Sequence, residues 1–256
     1  MAWIGENPRS QARAGAFPGG RVWTGASDRL DQASARTFLQ RVYLFMSLGL
    51  ATTGVVALGV VSSPAALSFI FGNPLVFYGL MIAELLLVMA FAPAAARVSA
   101  GTATAMFFGY AALSGVTFSV IFLRYTLGSI GGTFVITGGM FAALSAYGVL
   151  TKRDLSSLGS FCFMGLIGLV IASVVNIFLG SSMLYWLTTF VGVIVFTGLT
   201  AYDTAKLKEL GGQLAAEANG REALTKGALQ GALVLYLDFI NLFLMLLRVF
   251  GGRRRD

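Results

Sequence analysis

The stretch at 228–250, ALQGALVLYLDFINLFLMLLRVF, decides how this chain is read. It is long enough to cross a bilayer, which takes about 20 apolar residues, yet it holds Asp238 near its middle and Asn241 just beyond. A charged carboxyl at the bilayer centre costs about 2.5–3.5 kcal/mol on insertion scales. Such a residue is kept where it faces a bundle interior, a partner or water, so a functional site is the default reading. Gln230, Val234, Asp238, Asn241, Met245 and Arg248 recur at spacings of three or four, which puts Gln230, Asp238, Asn241 and Arg248 on roughly one helix face. A polar stripe through an apolar helix requires a polar cavity or neighbour, because lipid offers no hydrogen bonds. The competing reading is a buried network that only fixes helix packing.

The rest of the chain fits that setting. Hydrophobic residues make up 57% and charged residues 11% of the 256, with a mean hydropathy of +0.80. Soluble domains carry about 25% charged residues, so this chain could not cover a water-facing surface. Glycine, at 32 residues, is abundant, as it is where membrane helices approach closely. The expected fold is an all-α polytopic membrane protein with seven transmembrane helices. Apolar segments fall at 38–61, 74–92, 103–123, 130–150, 159–180, 183–202 and 228–250, with a polar connection at 204–227. Residues 1–37 read as a flexible cytoplasmic arm that turns helical from Leu30 into the first span, 38–251 as the membrane domain and 252–256 as a basic tail.

Charge placement sets the orientation. Arg9, Arg13, Arg21, Arg29 and Arg36 precede the first segment, and alternate loops on the same side add Arg97, Lys152, Arg153, Lys206, Lys208, Arg221 and Lys226. The opposite loops hold Arg124 alone, so the positive-inside rule puts the N-terminus in the cytoplasm. Arg253, Arg254 and Arg255 break the pattern, because a seventh full crossing would put them outside. Either the last segment crosses and a short basic tail is tolerated, or it re-enters. Asp238 and Asn241 make it the least lipid-like segment, which favours a central crossing helix.

Two further acids lie in apolar surroundings. Asp203 closes the sixth segment, following Thr189, Gly192, Phe196 and Thr200 at helical spacing. It reads equally well as an interfacial acid paired with Lys206 and Lys208. Asp203 meets Asp238 only if the sixth helix sits deep or the seventh begins outside the bilayer. Glu84 is mid-span in the second segment; its competing role is a hydrogen-bonded carboxylic acid that holds helices together. Ser173 and Asn176 suggest interhelical hydrogen bonds.

Enzyme chemistry finds no footing. The chain has no histidine, which removes His-ligated zinc, Ser-His hydrolysis and HExxH peptidases. Its single cysteine, Cys162, lies in an apolar run and reads as a packing residue. No lysine lies within the last segment, as a retinal protein would need, and no dinucleotide or phosphate-loop fingerprint occurs. The net charge of +7 sits mostly in tails and loops, so nucleic acid is not an expected partner and no cofactor is expected.

Several motifs resemble one family. Tyr236-Leu-Asp238-Phe-Ile-Asn241-Leu-Phe is similar to the C-terminal signature of the Bax inhibitor-1, or transmembrane Bax inhibitor motif, proteins. Thr200-Ala-Tyr202-Asp203-Thr-Ala-Lys206 resembles the end of that family's sixth helix, and Ser145-Ala-Tyr147-Gly148 with Thr151-Lys152-Arg153-Asp154-Leu155-Ser156 resembles its fourth loop. Ala111 to Ser119 looks like its third helix. The likeness covers about 41–251 and suggests a bacterial member.

The resemblance implies six helices around a central seventh and a pH-sensitive calcium leak. Its paired aspartates fall on Asp203 and Asp238, which also makes them the tentative calcium ligands, with calcium a transported ion. Adjacent carboxylates cannot both ionise easily, so they share a proton and titrate together, and oxygen ligands suit a hard cation. Glu84, Asn241, Gln230, Thr200 and Arg248 are the candidate pathway or supporting network. Some bacterial members latch one aspartate with an arginine near the end of the second helix. That position falls on Ala95 here, which leaves Arg97, two residues on, as the candidate latch. The expected partners are the lipid bilayer, calcium ions and protons, in a bacterial inner membrane. The alternative is an interaction protein that modulates a membrane-anchored AAA protease or a stress response without transport.

Overall fold

The computed structural model describes residues 20–216 and 220–252. Among them the chain forms eight helices: α1 (Gly20–Val61), α2 (Pro64–Phe71), α3 (Pro74–Arg97), α4 (Ala100–Arg124), α5 (Leu127–Leu150), α6 (Ser156–Leu179), α7 (Ser182–Ala216) and α8 (Gly220–Phe250). All but the short α2 are long and apolar enough to cross a membrane, which gives seven spans.

The turns are written into the sequence as caps. Ser63, Asn73, Ser99 and Thr126 each accept a backbone N–H of the following helix, and Pro64 and Pro74 occupy first-turn positions where a missing N–H costs nothing. At the start of α6, Asp154 accepts from Ser156 (N–H to Oδ1, 2.8 Å), and bonding to Ser156 holds this exposed carboxyl below its ordinary range. Gly180 ends α6 at φ 59°, the left-handed conformation glycine adopts without strain. Asn176 serves the same turn, accepting the N–H of Ser181 at 2.9 Å. Its side chain therefore shapes the α6–α7 turn, whereas the sequence suggested an interhelical bond.

α8 is the central helix. Buried positions fill 61% of its most apolar stretch, against 39% at most in any other span. It packs on α7, α1, α5, α4 and α3, while α6 lies mainly against α7. Leu229, Leu235, Tyr236, Leu242 and Leu247 are enclosed within the bundle. Outward residues such as Leu85, Met89, Val135 and Phe178 stay exposed, as lipid-facing side chains do.

The structure departs from the sequence reading at three places. The polar connection expected at 204–227 is largely helical: α7 runs unbroken to Ala216 and α8 starts at Gly220. Tertiary contacts hold this extension, because Leu207 meets Gly231 of α8 and Gly211 meets Phe38 of α1. A count of apolar residues does not see such contacts. At the other end, α1 begins at Gly20, ten residues before Leu30, where the chain was expected to turn helical; residues 1–19 lie outside the described residues. The short α2 was not anticipated.

α8 crosses completely. Beyond its last turn, Gly252 donates its N–H to Ser129 Oγ (2.9 Å) and accepts from the Thr126 N–H (3.2 Å), which ties the chain to the α4–α5 turn. This end lies opposite the one formed by the α3–α4 and α5–α6 turns. The re-entrant alternative is thereby removed. Arg253, Arg254 and Arg255 lie outside the described residues.

Candidate functional site

Asp203 and Asp238 come together. They face each other across the α7–α8 contact, close enough for one carboxyl to donate a hydrogen bond to the other when it holds a proton. The register that places them runs along both helices, with Gly192 opposite Met245, Leu207 opposite Gly231 and Leu214 opposite Gly227. Missing side chains at the three glycines let the backbones approach. Asp203 can reach this depth because α7 does not end there: thirteen more residues, about 20 Å of helix, follow before Ala216.

The two acids differ in surroundings. Asp238 is 5% exposed, and its Oδ2 has no hydrogen-bond partner among the described residues. Asp203 is half-buried, with the exposed Lys206 one turn on. Lys206 also sits over the Tyr202 ring, 5.7 Å from its centroid. Neither Lys206 nor Lys208 forms an ion pair with Asp203; the lysine–carboxylate pair among the described residues is Lys226–Glu222 at 3.2 Å. Lys208 turns instead to the Val149 carbonyl at the end of α5, at 2.7 Å. The direct salt bridges to Lys206 and Lys208 that the competing reading of Asp203 calls for are therefore not formed among the described residues.

Two cavities reach Asp203, and one of them also reaches Asp238. One, of about 500 Å³, lies between α6, α7 and α8 and is lined by Asp203, Asp238, Asn241, Ser160 and Lys206. The other, of about 520 Å³, lies between α3, α7 and α8 and is lined by Asp203, Gln230, Glu209 and Gln213. Gln230 donates across to the Ala92 carbonyl of α3 at 3.2 Å, while Asn241 donates to the Leu237 carbonyl of its own helix at 2.8 Å.

The remaining candidates line neither cavity. Thr200 is fully buried and donates to the Phe196 carbonyl of its own helix at 2.7 Å, so it lines neither cavity. Arg248, ten residues or about 15 Å beyond Asp238, stacks over Tyr185 near the end of the bundle. Arg97 is exposed in the last turn of α3 and pairs with neither aspartate. At Ala95, where the family's latch would fall, the methyl is wholly buried in the core.

Glu84 belongs to a separate polar cluster. Thr117 of α4 donates to its Oε2 at 2.9 Å. Ser114 stands among Glu84, Tyr110 and Tyr236. The Tyr236 hydroxyl pairs with Thr53 Oγ1 at 2.8 Å, and Thr53 donates in turn to the Ala111 and Gly49 carbonyls. This cluster joins α1, α3, α4 and α8. Tyr236, Thr53, Ser114 and Thr117 carried no expected role. A signal was present in Ser114 and Thr117, whose hydroxyls lie three residues apart on one helix face.

No group of three or more His, Cys, Asp or Glu side chains converges among the described residues. Two carboxylates fall short of the 6–8 oxygens that calcium takes, so a cation held here would keep much of its water.

Comparisons with known proteins agree with this architecture. Residues 35–255 match the family described as Inhibitor of apoptosis-promoting Bax1. The inner membrane protein YbhL of Escherichia coli K12 is 50% identical over 223 residues, covering 87% of this chain and 94% of that protein. An uncharacterized protein of Borreliella burgdorferi is 44% identical over 219 residues, covering 86% and 93% of the two chains. Rickettsia prowazekii has one that is 42% identical over 221 residues, covering 86% and 91%. With its seven spans and central last helix, the chain is a bacterial-type member of the Bax inhibitor-1 family of membrane proteins.

Proposed function

We propose that the chain is a passive cation leak, with calcium the favoured ion, gated by the proton that Asp203 and Asp238 share. The carrying observation is the opposition of these two carboxyls across α7 and α8, with Asp238 buried and its Oδ2 unpartnered. With one proton between them, the pair forms a hydrogen bond that clamps the central helix to α7. When the proton leaves, two negative charges face each other in a setting of few dipoles, where repulsion is far stronger than in water. The contact loosens, and the freed oxygens attract a hard cation. The two cavities meeting at Asp203 supply the approach. Flux should therefore rise with pH.

We further propose that the basic end of the bundle faces the cytoplasm of a bacterial inner membrane. The Lys and Arg bias of its loops supports that orientation, and the YbhL relative is named an inner membrane protein. The cavity at Asp203 extends along α7 to Glu209 and Gln213, toward that end, so Asp203 would report cytoplasmic pH.

The test is calcium influx into liposomes carrying a calcium dye, measured across neutral pH for wild type and Asp238→Asn. A pH-dependent flux lost in the variant supports the reading. Influx from folded wild-type protein no greater than in protein-free liposomes would overturn it in favour of an interaction role at a membrane-anchored protease.

A further inference from the structure

A second cleft lies between α1 and α5. Both helices pack on α7 and α8 but make no extended contact with each other. An apolar groove of about 490 Å³ fills the gap, lined by Tyr43, Met46, Phe141, Ala142, Ala146 and Leu150. At Val149 and Leu150 it passes into a cavity of about 420 Å³ lined by Arg36, Lys208 and Glu209. The combined space is greasy along its length and cationic at one mouth.

The mouth also carries polar donors. The Lys208 ammonium is held there by its bond to the Val149 carbonyl, which uses one of its three donors, and the exposed Arg36 lines the same cavity.

We propose that this cleft binds one anionic phospholipid. The phosphate sits against Arg36 and Lys208, and one acyl chain lies along the groove past Ala142 and Ala146. Basic pockets between membrane helices suit anionic head groups. The apolar groove distinguishes a lipid from a free phosphate, and the two cations outnumber Glu209, which disfavours a zwitterionic head group. Lys208 lies five residues beyond Asp203 on α7, so a bound lipid also braces the helix that carries the aspartate. The site does not depend on the leak proposed above.

Native mass spectrometry of the purified full chain would test it, using phosphatidylglycerol and phosphatidylcholine with identical chains. Wild type should retain phosphatidylglycerol preferentially, and excess inorganic phosphate should not displace it. Lys208→Gln should weaken retention about fivefold, the worth of one surface cation against an anionic lipid. Arg36→Gln, at an exposed position, removes an equivalent charge should Lys208→Gln not fold. Ala142→Phe, also exposed, fills the groove and should abolish retention. Equal retention of the two lipids, displacement by phosphate, or wild-type retention in either the charge or the groove variant overturns the proposal.

Discussion

Tyr236 and Asp238 stand two residues apart on α8 and face opposite sides of it. The tyrosine hydroxyl meets Thr53 of α1 at 2.8 Å, beside the Glu84 cluster, while the aspartate meets Asp203 of α7. At about 100° per residue, this spacing turns the side chains roughly 200° apart. The central helix therefore lies between two polar contacts, one made of neutral hydroxyls and one of acids that can change charge. A shift of α8 away from α7 presses it toward α1 and α4.

Asp238→Asn should leave the protein folded and its calcium flux flat across pH. An amide can still bond Asp203 but cannot present a second negative charge, so the clamp stays closed as the solution becomes alkaline. Asp203→Asn should shift or weaken the response, because its position is more open than that of Asp238. Flux curves of the two variants beside wild type are the measurement. A wild-type curve from Asp238→Asn would sink the gating role.

Tyr236→Phe tests the opposite face. It removes one hydroxyl while Thr53 keeps its bonds to the Ala111 and Gly49 carbonyls. The expected loss is about 1 kcal/mol, read as a fall of about 2–4 °C in thermal melting for a chain of this size. The pH at which flux rises should not move.

Glu84→Gln should retain the Thr117 bond, since the amide oxygen can accept it. Stability should change by no more than about 1 kcal/mol, with the pH response of flux unaltered. A flattened response in Glu84→Gln would mean that the two acid sites act as one unit.

Within α5, two glycines should behave oppositely. A Cβ at Gly148 would run into the Ala201 carbonyl and Thr204 of α7, so Gly148→Ala should cost about 1–3 kcal/mol. Nothing lies within 4 Å of a Cβ at Gly139, so Gly139→Ala should be neutral or stabilising by up to about 1 kcal/mol. Melting temperatures of the pair in one detergent decide the matter.

Full crossing by α8 predicts labelling from opposite faces. In a Cys162→Ala background, Thr151→Cys and Gly252→Cys should react with a membrane-impermeant maleimide from different sides of a sealed vesicle. Labelling of both from the same side would contradict the topology.

By itself the sequence determined the class, the seven spans and the identity of the acids. Apolar run length and the cost of a carboxyl in lipid are properties of composition and order. The caps at Ser63, Asn73, Ser99 and Thr126 are local too, and they sharpen boundaries that hydropathy leaves soft. Only the tertiary structure decided that Asp203 reaches Asp238. A polar stretch after Asp203 looks like a loop until α1 and α8 are in place to cover Leu207 and Gly211, and that cover keeps α7 helical to Ala216. It likewise separated Arg248 and Arg97 from the pair and gathered Glu84, Thr117, Thr53 and Tyr236 from four helices. Helical periodicity says which residues share a face; which face meets which neighbour depends on backbone approach between distant segments, a property that one-dimensional spacing does not carry.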